Sequence, residues 1–274
     1  MDGNSLTECV YTGMEAYLRT FALSCDMLHR NDNGVEWIAH KPGRPGPSLV
    51  FKATFTECTA RERIDALLLE IRSGTVPSDW FVSPGWTPEN IADILLAKGF
   101  RRASKPGEPH PGMALELGNA LRWPEPNPDL AVRTVQSMPD FALWCGIVNG
   151  ALFGHSMLSP ESYSQWFLRN VYTMYLAYEA GEPIAAAATM PMGGGHATIE
   201  FVATRKEYRR KGAATALCVR AMSDLMCDGV RVVTLRASHE GFPVYQRLGF
   251  RPCCPIAELN YPVLIPPRTA PAPC

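Results

Sequence analysis

Apolar and polar positions follow a regular order along the second half of the chain. Residues 172–178 and 183–190 read as two antiparallel strands around a glycine turn, and a second turn at 193–195 leads into a strand over 198–203. Strict alternation on that strand places Thr198, Glu200 and Val202 on one face and Ile199, Phe201 and Ala203 on the other. Glu200 then points either into a cleft or to solvent. From 215 to 227 the period changes, with Leu217, Ala221, Met222, Leu225 and Met226 at helical spacing. A further strand is expected over 231–236.

The first half reads in a similar order. Strands are expected over 35–39 and 49–54, an amphipathic helix over 60–72, a strand over 79–83, a capped helix over 87–98 and a strand over 113–117. The helix before Lys98-Gly99-Phe100 closes as the later one does at Leu248-Gly249-Phe250, which points to a degenerate copy of one unit. Residues 123–129 hold three prolines in seven positions, a composition that forbids helix and favours an extended linker. The expected division is 1–122, a linker at 123–130, a second unit at 131–262 and an irregular Pro-rich tail at 263–274. A chain of 274 residues is long for one such unit.

Chemistry concentrates at Arg209-Arg210-Lys211-Gly212-Ala213-Ala214, a basic turn where the apolar strand gives way to the helix. The first N–H groups of a helix lack internal partners and the macrodipole is positive there, so such a turn holds an anion such as a pyrophosphate. Gly212 permits close approach, and the two alanines keep the turn open. No equivalent Arg-x-x-Gly-x-Ala sequence occurs in residues 1–122.

A formal net charge of −1 provides no global basic field for nucleic acid. There is no apolar run long enough for a membrane span and no charged-then-apolar amino terminus. Nine cysteines without paired spacing read as reduced thiols of a cytoplasmic protein, and no CxxC or His-x-x-x-His arrangement calls for a metal.

The order of strand, Arg-x-x-Gly-x-Ala turn, helix, strand and then Phe242-Pro-Val-Tyr-Gln-Arg-Leu-Gly-Phe250 resembles the GNAT superfamily of acyl-CoA-dependent N-acyltransferases. The resemblance implies an α/β fold with a mixed, mostly antiparallel sheet flanked by helices. The fold is expected to be duplicated, with a non-catalytic first copy. It implies acetyl-CoA or another acyl-CoA as co-substrate, with the pyrophosphate on Arg209, Arg210, Lys211, Gly212, Ala213 and Ala214. The pantetheine arm would run along Val202, Ala203 and Thr204. Ser238 stands where many members have an Asn that contacts that arm.

The resemblance further implies that Tyr245 protonates the departing thiolate and that Glu200 takes the proton of the amine, directly or through water. His196 and His239 rank below Glu200, and Arg205 and Lys206 read as solvated turn residues. Helices implied over 140–150 and 160–170 bound the acceptor side and carry Trp144, Tyr163 and Trp166, with His155 between them, where core packing competes with a pocket role; Asp140 and Glu161 are the evident acids there. The implied acceptor is the amine of a small molecule, reached by direct attack. A donor thioester on an acyl carrier protein and a non-catalytic acyl-CoA-binding module are the alternatives.

Overall fold

The computed structural model describes residues 3–103, 110–118, 121–125 and 127–263. The expected tail therefore lies almost wholly outside the described residues. The chain opens with helix α1 (Gly3–Thr20), whose Leu6, Val10, Met14, Tyr17 and Leu18 recur every three or four residues along one stripe. Strands β1 (Met27–Asp32), β2 (Val35–His40) and β3 (Leu49–Ala53) follow. Next come helix α2 (Ala60–Arg72), β4 (Asp79–Val82), α3 (Ile91–Ala97), β5 (Arg101–Arg102) and β6 (His110–Glu116).

The second half supplies β7 (Leu130–Thr134), α4 (Met138–Val148), α5 (Ser164–Leu168), β8 (Thr173–Glu179), β9 (Glu182–Gly193) and β10 (His196–Thr204). It closes with α6 (Ala213–Cys227), β11 (Val232–Arg236), α7 (Phe242–Arg247) and β12 (Arg251–Asn260). From the first run of strands after each half's opening helices the order is alike: strands, a helix, a strand, a helix, and then two closing strands in the first half and one in the second.

The twelve strands form one sheet in the order β1-β2-β3-β4-β12-β6-β11-β10-β9-β8-β7, with β5 on β12. It is mixed and mostly antiparallel, as expected. The seam between the halves is laced: β6, which precedes the Pro-rich segment, pairs with β11 and with the first part of β12. The end of β12, from Ala257 to Asn260, pairs with β4 of the first half. Alternation identifies each of these segments as a strand but carries no information about its partner. Helices α1, α4 and α5 cover one face around a single aromatic-rich core, while α2 and α3, then α6 and α7, cover the other.

Two helices are shorter than the sequence implies. The helix expected over 87–98 begins only at Ile91, because Thr87 is committed to strand-like bonds, donating its N–H to the Ala53 carbonyl and accepting from the Phe55 N–H. That expected over 160–170 is helical only at Ser164–Leu168, the Ser159 hydroxyl drawing the Ser162 N–H into a turn before it. Among the described residues no helix is long and apolar enough to cross a membrane.

Candidate functional site

The parallel pairing of β10 with β11 runs from His196–Val232 through Ala197–Val233 to Thr198–Thr234 and stops there, although both strands continue. Beyond Thr198 the edge of β10 that faces β11 has no strand partner among the described residues, and the sheet opens as a fork. A β-bulge between Glu200 and Ala203, with Phe201 at φ 57°, sits at the same point. Its other edge stays paired to β9 through Ala203–Ala186 and Thr204–Ala185.

The bulge overturns the strict alternation expected for this strand. Ile199 packs toward α6, whereas Phe201 and Ala203 join the core on the opposite face, and Val202 turns toward α6. Glu200 and Phe201, adjacent in sequence, therefore lie on one face. The Phe201 ring is surrounded at 5.1–6.5 Å by Tyr17, Phe21, Trp144, Phe153, Trp166 and Tyr172, which fixes the bulge from below. A left-handed φ at a non-glycine residue costs on the order of 1 kcal/mol or more and persists where packing holds it.

Glu200 is half-buried at the mouth of this fork. Desolvation pushes its carboxyl up to about 7, against the opposing effects of a 2.6 Å hydrogen bond from the Thr198 hydroxyl and the charge of Arg236. A carboxyl with that value exchanges a proton readily at neutral pH. Tyr245, on α7, is 8 % exposed and packs edge-on to Phe250 at 5.9 Å. Burial holds its phenol well above the usual range, with Cys218 and Glu200 adding to the effect, so the hydroxyl keeps its proton.

The basic turn stands where β10 hands over to α6. Arg210 at φ 63° and Gly212 at φ 91° bend it, and a Cβ at Gly212 would meet nothing nearer than the Asn127 Cβ at 3.9 Å, so its outer face is open. The Asn127 amide donates to the Lys211 carbonyl at 3.2 Å, laying the Pro-rich segment beside the turn. The basic side chains are already engaged. Arg209 donates to the Thr204 carbonyl, the Ala151 carbonyl and Glu240, and the Lys211 ammonium lies 3.1 Å from Glu179. Exposed pairs of this kind are worth about 0–1 kcal/mol and yield to a stronger anion. The open backbone N–H groups at the start of α6, with Arg210 beside them, are the donors a phosphate would meet first. A pyrophosphate-bearing thioester thus fits the site.

Ser238 lies just past β11, where its hydroxyl accepts from the Gly241 N–H at 3.1 Å and starts α7. Val202, Ala203 and Thr204 stand on the open part of β10. Hence Glu200, Tyr245, the turn and the unpaired strand edge surround one fork. His196 belongs elsewhere: its Nε2 meets the Thr234 hydroxyl at 2.9 Å, and burial pushes its pKa down to about 4. His239 is exposed.

The aromatics expected on the acceptor side are mainly core. Trp144 donates to the Ala187 carbonyl and Trp166 to the Thr20 carbonyl, both fully buried, and Tyr163 is buried beside them. His155 is exposed, and Asp140 is taken up in capping α4 with Ser137. Sequence reasoning missed the contribution of α1. This helix lies across β6, β11 and β10 and brings Tyr17 over Phe201, with its hydroxyl within the electrostatic reach of Glu200 and Arg236. Its apolar stripe was the available signal. Arg236, at the end of β11, was also missed. Two cavities, of about 190 Å³ beside Arg19 and Lys52 and about 420 Å³ beside Tyr175 and Asp224, stand away from the fork.

A fork between parallel strands beside a basic turn that opens a helix is the arrangement that the resemblance implied for this half. The comparisons agree: residues 136–266 match the family model described as acetyltransferase (GNAT) domain, and that segment belongs to this family of acyltransferases. No curated protein matches the sequence. Among solved structures, a GCN5-related N-acetyltransferase from Kribbella flavida is similar over 92% of this chain and 95% of its own, with a TM-score of 0.64 and 18% identity. A tandem GNAT protein from the clavulanic acid biosynthesis pathway is similar over 90% of this chain and 94% of its own, with a TM-score of 0.59 and 14% identity. These two likenesses concern the fold.

Proposed function

We propose that this protein moves an acyl group, acetyl in the simplest case, from acyl-CoA to the amine of a small molecule by direct attack. The observation that carries this reading is the convergence at one fork of an unpaired strand edge, a carboxyl poised near neutral pH and a protonated phenol. The β10 edge would pair with the pantetheine arm as an added strand, and the N–H groups opening α6 would take the pyrophosphate.

Glu200 accepts a proton from the amine, directly or through water, as nitrogen attacks the thioester carbon. Backbone N–H of β10 beside the bulge meets the developing oxyanion. The C–S bond breaks as Tyr245 gives its proton to the sulfur. The amide and free CoA leave, and the two residues regain their starting protonation through solvent.

The test is thiol release from acetyl-CoA with a panel of small amines, with the acylated amine identified by mass. Tyr245→Phe keeps the ring and removes the hydroxyl, so folding and thioester affinity persist while turnover falls by about 10²–10⁴. Wild-type turnover in that variant, in a chemistry-limited assay, would remove Tyr245 from the mechanism. Thioester binding without thiol release for every amine would leave a binding module.

A further inference from the structure

Glu200 and Arg236 occupy matching positions on the two arms of the fork. Thr198 and Thr234 are the last paired positions of β10 and β11, and each of the two charged residues lies two places further along its own strand. Side chains two apart on a strand share a face, so both project to the side covered by α1. Local contacts agree. The Thr198 hydroxyl bonds Glu200, and the Thr234 hydroxyl would stand 3.1 Å from a Cβ on Gly13 of α1.

The Arg236 guanidinium is fixed without being saturated. Its Nη1 donates to Glu258 on β12, and the Phe81 ring of β4 lies 4.6 Å from its carbon. Glu258 is shared with His110 at 3.0 Å. An arginine offers five N–H donors, and among the described residues only Nη1 is engaged, while the side chain remains 34% exposed. A planar cation placed over an aromatic ring with free donors at its edge is suited to a carboxylate. Tyr17 of α1 supplies a third wall. Residues of both halves of the chain therefore bound the space in front of Glu200.

We propose that the acceptor is an amino-acid-like molecule, whose carboxylate is bound by Arg236 while its amine is presented to Glu200. The two anchors sit on neighbouring arms of one fork, so one small molecule spans both. Arg236 is a specificity-determining residue in this assignment, and Phe81 and Glu258 position it. The assignment rests on the N-acyltransferase reading and refines its substrate.

The experiment compares free amino acids with their carboxamides, which keep the amine and lose the negative charge, in the thiol-release assay. Wild-type enzyme is expected to prefer the carboxylate form at least tenfold in kcat/KM. Arg236→Met should collapse that preference through KM, lowering kcat/KM for the carboxylate at least tenfold more than for the amide, and Arg236→Lys should restore part of it. A wild-type preference for the amides, or an equal loss on both forms in Arg236→Met, overturns the assignment. Thiol release from uncharged amines alone defeats only the acceptor class. Absence of release with any amine, while acetyl-CoA still binds by calorimetry, defeats the transferase reading beneath it.

Discussion

The two halves of the chain each build a fork between parallel strands ahead of a helix, and they treat it in opposite ways. In the second half, β10 and β11 part after Thr198 and Thr234, and the edge of β10 is left open. In the first half, β3 and β4 touch at the single position Val50–Trp80, and the chain after β4 folds back into the gap. The Trp86 indole donates to the Phe51 carbonyl at 3.2 Å. Thr87 donates to the Ala53 carbonyl and accepts from the Phe55 N–H, so residues 86–87 run beside β3 as an added strand. A protein segment fills the place that the second half leaves open and that we propose for a thioester arm.

The turns before the two helices differ in the same sense. Thr56-Glu57-Cys58-Thr59 precedes α2 with an acid and no base, and Thr56 accepts from the N–H groups of Thr59 and Ala60. The turn before α6 is basic, bent through φ 91° at Gly212 and open on its outer face. One arrangement of strands is thus closed by packing in the first half and left open in the second, where we propose that the thioester enters. We expect one thioester per chain, held by the second half.

Removing the plug tests this contrast most severely. Trp86 is 2 % exposed, so Trp86→Ala leaves a large cavity and should cost about 3–5 kcal/mol of stability in urea unfolding. Thr87 still pairs with β3 in that variant and Glu57 still repels phosphate, so calorimetry should again find one acetyl-CoA per chain. Unaltered stability, or two thioesters bound by the wild-type chain, would break the comparison.

A smaller effect sharpens it from the other side. Gly212→Asp places a carboxylate where phosphate is expected and should weaken acyl-CoA binding at least tenfold, about 1.4 kcal/mol. Gly212→Ala, which brings the strain of a positive φ without the charge, separates the two causes. Its loss should be clearly smaller. Equal binding by wild type and Gly212→Asp, with the variant folded, would exclude the turn as the anchor.

Much of the second fork was legible in the sequence, because its parts are local. The strand, the basic turn, the helix and the Tyr245 segment are each set by a few consecutive residues whose period or φ requirement shows in the sequence. What depends on distant partners was not legible. The exchange of β6 and β12 across the seam needs pairing information that alternation lacks. The bulge after Glu200 shifts Phe201 to the face of Glu200, and aromatics gathered from distant segments, α1, α4, α5 and Asn149–Phe153 among them, pack around it there. The closure of the first fork by Trp86 is equally non-local. In sequence Thr87, its neighbour in the plug, appears as the start of a helix.

The central claim is that Glu200, at the mouth of the open fork, takes the amine proton. The direct measurement is the pH dependence of thiol release with one acceptor at fixed concentrations, on wild type and on Glu200→Gln. The carboxyl acts as a base only when ionised, so the wild-type rate should rise as pH passes through about 7, the value to which desolvation raises this group. Glu200→Gln should be slower at neutral pH and lack that limb, retaining only the rise at higher pH from the acceptor's own ammonium. A Glu200→Gln enzyme with the wild-type rate and the same limb near 7 would contradict the account.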